Sequence, residues 1–300
     1  MDFRGRQMKQ LSTGSLLWAA LKSLPHKRMN KNMIGWKQHM TAPAVDLAQA
    51  QAFAKATNDK NEAYFGKNPM VPPFFLARLV YPLLASAMLN PRLKMNLVNM
   101  VHGDMHMNWY RPIRPGDQLD LGLEIKSISD TRAGEIVHLE VNASMVGQPV
   151  ASAMAGLLVR AKKKKQAPQH RKKESTDRQK EVFRLEVKTY DGQQLEYAKA
   201  SGDHNFIHTN YLLARLAGLP RTIMHGMCVM AMSCAALVDH LASGDPARLK
   251  EMGGRFASPA IPGQTLSLVG YETNDDGTTS FEVLTPSGKP AIKNGLVKIK

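Results

Sequence analysis

Hydrophobic positions along the 300 residues fall into two kinds of stretch. The first is a long, nearly continuous apolar run. One runs from Met70 to Leu89 and is broken by Arg78; another runs from Ile223 to Leu241 and is broken by His225, Ser233, Asp239 and His240. Those interruptions argue against membrane spans and for helices buried in a core. The second kind alternates with period two, as in Leu119, Leu121, Leu123, Ile125 and then Val137, Leu139, Val141. Alternation of that length is the mark of half-buried strands. It returns in Phe281 and Val283 and in the closing stretch 292–299. Shorter helices are expected at about 45–57 and 190–201. One apolar helix followed by several antiparallel strands makes an α+β layout, a sheet wrapped on a central helix.

The pattern occurs twice. Phe53-Ala-Lys-Ala-Thr-Asn-Asp59-Lys-Asn-Glu-Ala-Tyr64 aligns with Tyr197-Ala-Lys-Ala-Ser-Gly-Asp203-His-Asn-Phe-Ile-His208, with five of twelve positions identical. Further on, the ten residues from Pro112 (Pro-Ile-Arg-Pro-Gly) align with the ten from Pro259 (Pro-Ala-Ile-Pro-Gly), again with five identities. Two matches at nearly equal offsets point to a duplicated domain.

Charge marks the boundaries. The net charge is +15, but residues 1–40 hold eight Lys or Arg against one Asp, and residues 161–180 hold nine against Glu174 and Asp177. Each piece contributes +7, so the rest of the chain is nearly neutral. Residues 161–180 have almost no large apolar side chains to repay the entropy of ordering. We therefore divide the chain into a basic extension over 1–40, a first domain over 41–160, a basic linker over 161–180 and a second domain over 181–300. Lys162 to Lys165 without interleaved aromatics is a weak nucleic-acid signal, and no specific nucleic-acid partner is expected. The apolar patch Leu16 to Leu21 is too short for a span and lacks a cleavage signature; a peripheral membrane contact stays open. Cys228 and Cys234 lie too far apart along one helix to pair, which suits a reducing, cytoplasmic setting.

Asp203 and His208 are a carboxylate and an imidazole five residues apart, a pairing able to exchange protons near neutral pH. On spacing alone, Asp203 as a cap at a helix end and His208 as a polar loop residue stays open. At Met224-His225-Gly226-Met227 the second apolar helix begins, where free N–H groups meet the positive end of the dipole and a glycine would admit a substrate oxygen. The first copy retains Asp59 and Asn61 but has Tyr64 in place of His208, and its helix opens Val71-Pro-Pro-Phe-Phe, without His-Gly-Met. The first domain has therefore lost an acid/base partner and the glycine, and it reads as a non-catalytic half whose Phe74, Phe75 and Leu79 either line the space beside the second domain's site or simply pack the core. His204 with His208, and His102 with His106, stand four apart, but neither first histidine is followed by Glu, so no metal is expected. His102 to His106 is expected to precede a strand.

The run Tyr197 to Asn210, then Ala214, Gly218-Leu-Pro, Ile223-Met-His-Gly-Met and Arg255-Phe-x-x-Pro-x-x-Pro-Gly, resembles the MaoC-like hydratase/dehydratase family. Within it, the chain is most similar to two-domain 3-hydroxyacyl-thioester dehydratases of the mycobacterial type, over roughly residues 45–300. The resemblance implies a double hot dog that interconverts (R)-3-hydroxyacyl and trans-2-enoyl thioesters in fatty-acid metabolism. It implies Asp203 and His208 as the catalytic pair, an oxyanion N–H at Gly226, and substrate contacts from Asn205, His225 and Met227. Phe206 departs from the family's usual proline. The implied partner is acyl-CoA or an acyl carrier protein, with no cofactor, in a pseudo-dimeric monomer or a homodimer. Alternatives are an acyl-thioester binder without turnover, or a protein that binds nucleic acid or acidic partners through its linker.

Overall fold

The structure is a computed structural model, and it describes residues 22–23, 26–161 and 180–300. The expectations for the basic extension before residue 22, and for the linker between 161 and 180, fall outside the described residues.

Ten strands form one antiparallel sheet. The first copy supplies β1 (Lys37–Thr41), β2 (Met100–Trp109), β3 (Asp120–Thr131), β4 (Gly134–Met145) and β5 (Gln148–Arg160). The second supplies β6 (Glu181–Lys188), β7 (Leu249–Phe256), β8 (Thr265–Thr273), β9 (Thr278–Leu284) and β10 (Pro290–Ile299). The order is β1-β3-β4-β5-β2-β7-β10-β9-β8-β6, so the second half mirrors the first about the β2–β7 seam. That seam pairs His106 with Gly253 and runs from Asp104/Arg255 to Asn108/Glu251.

The helices are α1 (Leu47–Ala56) and α2 (Leu76–Met88) in the first copy, with α3 (Gln193–Ser201), α4 (Phe206–Thr209), α5 (Tyr211–Leu216) and α6 (Gly226–Leu241) in the second. α2 and α6 are the expected central helices: Leu76, Leu83 and Ala87, and Cys228, Met230 and Leu237, are almost wholly buried. The alternation expected over 119–125 and 137–141 is met, with Leu121, Leu123, Ile125, Val137, Leu139 and Val141 all facing the core. Arg78, which broke the first apolar run, spans the two copies: Nε donates to Gln49 on α1 and Nη1 to the Ala200 carbonyl on α3.

Two expectations need correction. The first domain begins before residue 41. β1 pairs with β3 from Lys37/Glu124 to Thr41/Asp120, and Met29 and Met33 are buried in the core. Arg28 pairs with Asp130 and Glu135, and Lys31 with Asp130. These basic residues are therefore not a free tail: carboxylates of β3 and β4 hold them. The segment from His102 to His106 does not precede a strand but lies inside β2, at the middle of the sheet.

Candidate active site

Helix α3 ends at Gly202, which takes the left-handed conformation (φ +83°) that glycine adopts without a Cβ penalty. In the first copy Asn58, another residue type tolerant of that region, does the same at the end of α1 (φ +55°). Both copies then enter the same loop. The Asn205 N–H donates to Asp203 Oδ1 at 3.1 Å, and the Asn205 side chain accepts from the Ile207 N–H, capping α4. Asn61 donates to Asp59 Oδ1 at 3.2 Å and accepts from the Ala63 N–H. The repeated Asp and Asn therefore build the loop in both copies. Asn205 is a cap here. Phe206 stands at the first position of α4, where proline is also favoured because that N–H has no partner within the helix, so the loop tolerates the departure from the family pattern.

The copies diverge one turn later. His208 is buried, and its Nδ1 lies 2.9 Å from the Ile223 carbonyl. A carbonyl only accepts, so Nδ1 carries the proton and Nε2 keeps its lone pair. His225 is buried too, and its Nε2 donates to the Asp203 carbonyl at 3.0 Å. The two rings stack 3.8 Å apart at 25°. Ligand atoms of Asp203, His208 and His225 lie within 4.8 Å of one another. Nearly parallel rings direct their in-plane lone pairs side by side rather than onto a common point, so this set suits proton transfer better than metal ligation.

Electrostatics set the resting state. Burial alone would raise the Asp203 carboxyl, but His225, His208, the Asn205 N–H and His102 outweigh it and hold the group below its ordinary value. Burial lowers His208, against the opposing pull of Asp203 and the Ile223 carbonyl. Burial, reinforced by His208, drives His225 down to about 3. Asp203 is therefore ionised and both imidazoles are neutral at neutral pH.

Gly226 opens α6, and His225 occupies its N-cap. Glycine is required there for packing: a Cβ would meet Phe256 Cδ1 at 2.7 Å. The first copy is registered on the second by equivalent bonds, Val71 N–H to the Ile113 carbonyl and Met224 N–H to the Ala260 carbonyl. That register sets Pro73 opposite Gly226. Proline has no N–H, so the first copy lacks this donor as well as the imidazole. Met227 is half-buried and packs on the core. Phe74 and Phe75 are also packing residues: they lie against Trp109 and Phe53, with ring centroids 5.4 and 5.7 Å apart.

Two neighbours of Asp203 come from the other copy and carried no signal in the repeat. Tyr81 on α2 donates to Asp203 Oδ1 at 3.4 Å. The His102 ring on β2 packs tilted against Phe256, centroids 4.8 Å apart, and a proton on His102 and the Asp203 carboxylate would stabilise each other.

Residues 169–287 match the MaoC-like domain model, and residues 32–153 match the FAS1-like dehydratase domain region. Over 191 residues, 59% of this chain, the sequence is 29% identical to 3-hydroxyacyl-thioester dehydratase Y of Mycobacterium tuberculosis. It is 40% identical over 81 residues, 27% of this chain, to the peroxisomal enoyl-CoA hydratase 2 of Arabidopsis thaliana. These matches span 63% and 26% of the respective relatives. The MaoC-like dehydratase of Phytophthora capsici superposes with a TM-score of 0.79 at 22% identity, covering 91% of this chain and 98% of that one. A Mycobacterium tuberculosis protein described as a double hot-dog fold superposes at 0.55 with 12% identity, covering 92% of this chain and 96% of that one. Dehydratase models thus match both halves, and residues 169–287 belong to the MaoC-like domain family, with Phe206 departing from its loop pattern, in a chain that folds as a double hot dog.

Proposed function

We propose that this protein interconverts (R)-3-hydroxyacyl and trans-2-enoyl thioesters, with Asp203 and His208 as the proton-transfer pair and the start of α6 as the oxyanion site. The observation that carries this reading is the Asp203 carboxylate beside His208, whose Nε2 lone pair is fixed by the Ile223 carbonyl. A proton alpha to a thioester carbonyl is acidic only when the developing enolate oxygen is stabilised. Free N–H groups and the dipole at the start of α6 supply that stabilisation.

At rest the pair carries one negative charge and no acidic proton. In dehydration, the proton removed from C2 is therefore the one delivered to the departing 3-hydroxyl. The C2–H and C3–O bonds break, the C2–C3 double bond forms, water leaves, and the pair returns to its starting state. Hydration runs the same exchange backwards. Asn205 and His225 act by holding the Asp203 loop, and Met227 by packing α6. The relatives' names, dehydratase and enoyl-CoA hydratase, are consistent with both directions.

For the carrier, Lys55, Arg78 and Lys199, against one carboxylate, Glu196, line a groove of about 310 Å³ between α1 and α3, whose last lining residue, Ala200, precedes Asp203 by three positions in the chain. Cations there favour the phosphates of CoA or of a carrier protein's prosthetic arm. The β2–β7 seam supplies within one chain the pairing that a one-domain hot dog would need from a second copy, which favours a monomer. Among the described residues no helix is long and apolar enough to cross a membrane. Cys228 and Cys234 are buried free thiols, in keeping with a reducing compartment such as the cytoplasm.

The test is hydration of crotonyl-CoA by the wild-type protein and by Asp203→Asn and His208→Gln. Each variant should lose at least about a hundredfold in turnover, the low end for a lost acid or base. Because His208 titrates below its ordinary value, kcat/KM should be flat above neutral pH and fall only on the acid side, below about pH 6.5. Near-normal turnover in either folded variant would refute the assignment. An inactive wild type that still binds acyl-CoA would make the protein a carrier rather than a catalyst.

A further inference from the structure

We infer that the first hot dog contributes directly to the reaction site of the second: His102 as the acceptor that holds the reacting water or 3-hydroxyl, and Tyr81 as the residue that positions the Asp203 carboxylate. This rests on the hydratase/dehydratase reading above. Four observations carry it.

The backbone aims His102 at the site. Strand alternation would put residue 102 on the same face as Asp104 and His106. A bulge intervenes: His102 pairs with Leu157 and Asp104 with Gly156, leaving Gly103 as an extra residue. The shift puts His102 on the face of Met105 and Met107, which looks onto the helices, and bulges of this kind re-aim single side chains. Phe256, the ring that fills the space beside Gly226, is also the ring against which His102 packs, tilted by 56°.

His102 Nε2 is buried and has no hydrogen-bond partner. The Asp104 backbone favours a proton on the ring, and with Nε2 unpartnered that proton belongs on Nδ1, which leaves Nε2 its lone pair. Burial lowers the imidazole to about 4, against the pull of Asp104, Asp203 and that backbone, so the ring stays neutral at working pH. An unpaired acceptor in a closed site is costly unless something fills it.

The reaction supplies what is missing. A departing 3-hydroxyl receives a proton from the Asp203/His208 pair while its own O–H needs an acceptor. An attacking water gives one proton to the pair and has a second O–H to place. In both directions one O–H is left over; two buried imidazole acceptors near Asp203 lack a partner, His102 Nε2 and His225 Nδ1, and the O–H is assigned to His102, because His225 is already tied to the Asp203 carbonyl and stacked on His208. No proton is transferred to it. Tyr81 completes the cage from α2, its Oη donating to the Asp203 Oδ1 that already receives the Asn205 N–H. Its counterpart by register is Cys234, buried near Asp59. Helices thus reach across in both directions, but only one crossing meets a catalytic loop.

The test compares His102→Leu, His102→Gln and Tyr81→Phe with wild type, using crotonyl-CoA and (R)-3-hydroxybutyryl-CoA. His102→Leu should lower kcat at least tenfold with KM within about threefold, and His102→Gln, which keeps an acceptor, should restore part of the loss. Tyr81→Phe should lower kcat/KM severalfold and move the acid limb of its pH profile, because the groups facing Asp203 (His208, His225, His102 and Tyr81) then lose one donor. A purely structural role would change thermal stability without separating kcat from KM. Independently of turnover, the His102 ring nitrogen signal in 15N-histidine-labelled Asp203→Asn protein should shift with (R)-3-hydroxybutyryl-CoA and not with butyryl-CoA, which lacks the hydroxyl. An unmoved signal at saturation, or a folded His102→Leu protein within twofold of wild type, overturns the inference while leaving the hydratase reading intact. A wild type inactive on both thioesters would defeat the reading itself.

Discussion

Asp59 and Asp203 hold equivalent places in equivalent loops, yet their surroundings drive the two carboxyls in opposite directions. Asp203 has three imidazoles around it and lies below its ordinary value. Asp59 is buried with Tyr64 and Asp239 nearby, and burial raises it to about 6 against the help of the Asn61 N–H and the Tyr64 hydroxyl. A carboxyl whose folded pKa lies above its unfolded one binds its proton more tightly in the folded state. Its favourable contribution is complete below about pH 4 and is lost as pH rises through about 6. Ionised Asp59 therefore costs stability at neutral pH, on the order of 3 kcal/mol from the size of the shift. Asp59→Asn keeps the acceptor for Asn61 and Tyr64 and should raise the thermal midpoint at pH 8 but leave it nearly unchanged at pH 4. Equal stabilisation at both values would show that ionisation is not the cause. At this scale the alignment of Asp59 with Asp203 and of Tyr64 with His208 was legible in the sequence. The duty of Asn205 was not, because a helix cap and a substrate contact call for the same side chain.

At the scale of elements, the long helices and the alternating strands follow from periodicity, and α6 begins at the residue expected of it. The central strands β2 and β7 were not legible. Leu-Lys-Glu-Met-Gly-Gly-Arg-Phe lacks alternation and β-branched residues, and in Met-Val-His-Gly-Asp-Met-His-Met-Asn-Trp the alternation is confined to Met105, Met107 and Trp109, with Val101 the one β-branched residue. Their glycines answer to the seam: a Cβ at Gly253 would fall 2.1 Å from His106 Nδ1. Gly226 makes the same point for a helix. Its spacing suggested room for a substrate oxygen, while the structure shows Phe256 of β7 occupying the place of a side chain. Gly226→Ala should thus destabilise the protein by about 1–3 kcal/mol through overpacking and also lower turnover, since the start of α6 must move. Adding Phe256→Leu should recover stability beyond the sum of the two single changes, as expected for residues in contact. Additive losses in denaturant unfolding would mean that the ring is not the obstacle.

At the scale of the whole molecule, the two hot dogs are joined by the β2–β7 seam, by Arg78 and by Tyr81, none of which involves the basic linker. Replacing residues 162–179 with a neutral Gly/Ser sequence of equal length should therefore leave the unfolding midpoint, and turnover of a short acyl-CoA, within about twofold of wild type. The boundary drawn at 161–180 fails if that protein cannot fold. The sequence by itself determined the duplication and the α+β layout, carried the family resemblance and singled out Asp203 and His208, because these are written in local spacing and in motifs that repeat along the chain. Only the tertiary structure decided that the first domain starts before residue 41, that Pro73 stands where the second copy has Gly226, and that Tyr81 and His102 face Asp203. Those facts depend on which strand edges pair and where one bulge falls. Such pairings join residues far apart in the chain, Lys37 with Glu124, His102 with Leu157 and Asp104 with Arg255, and no local pattern along the chain records them.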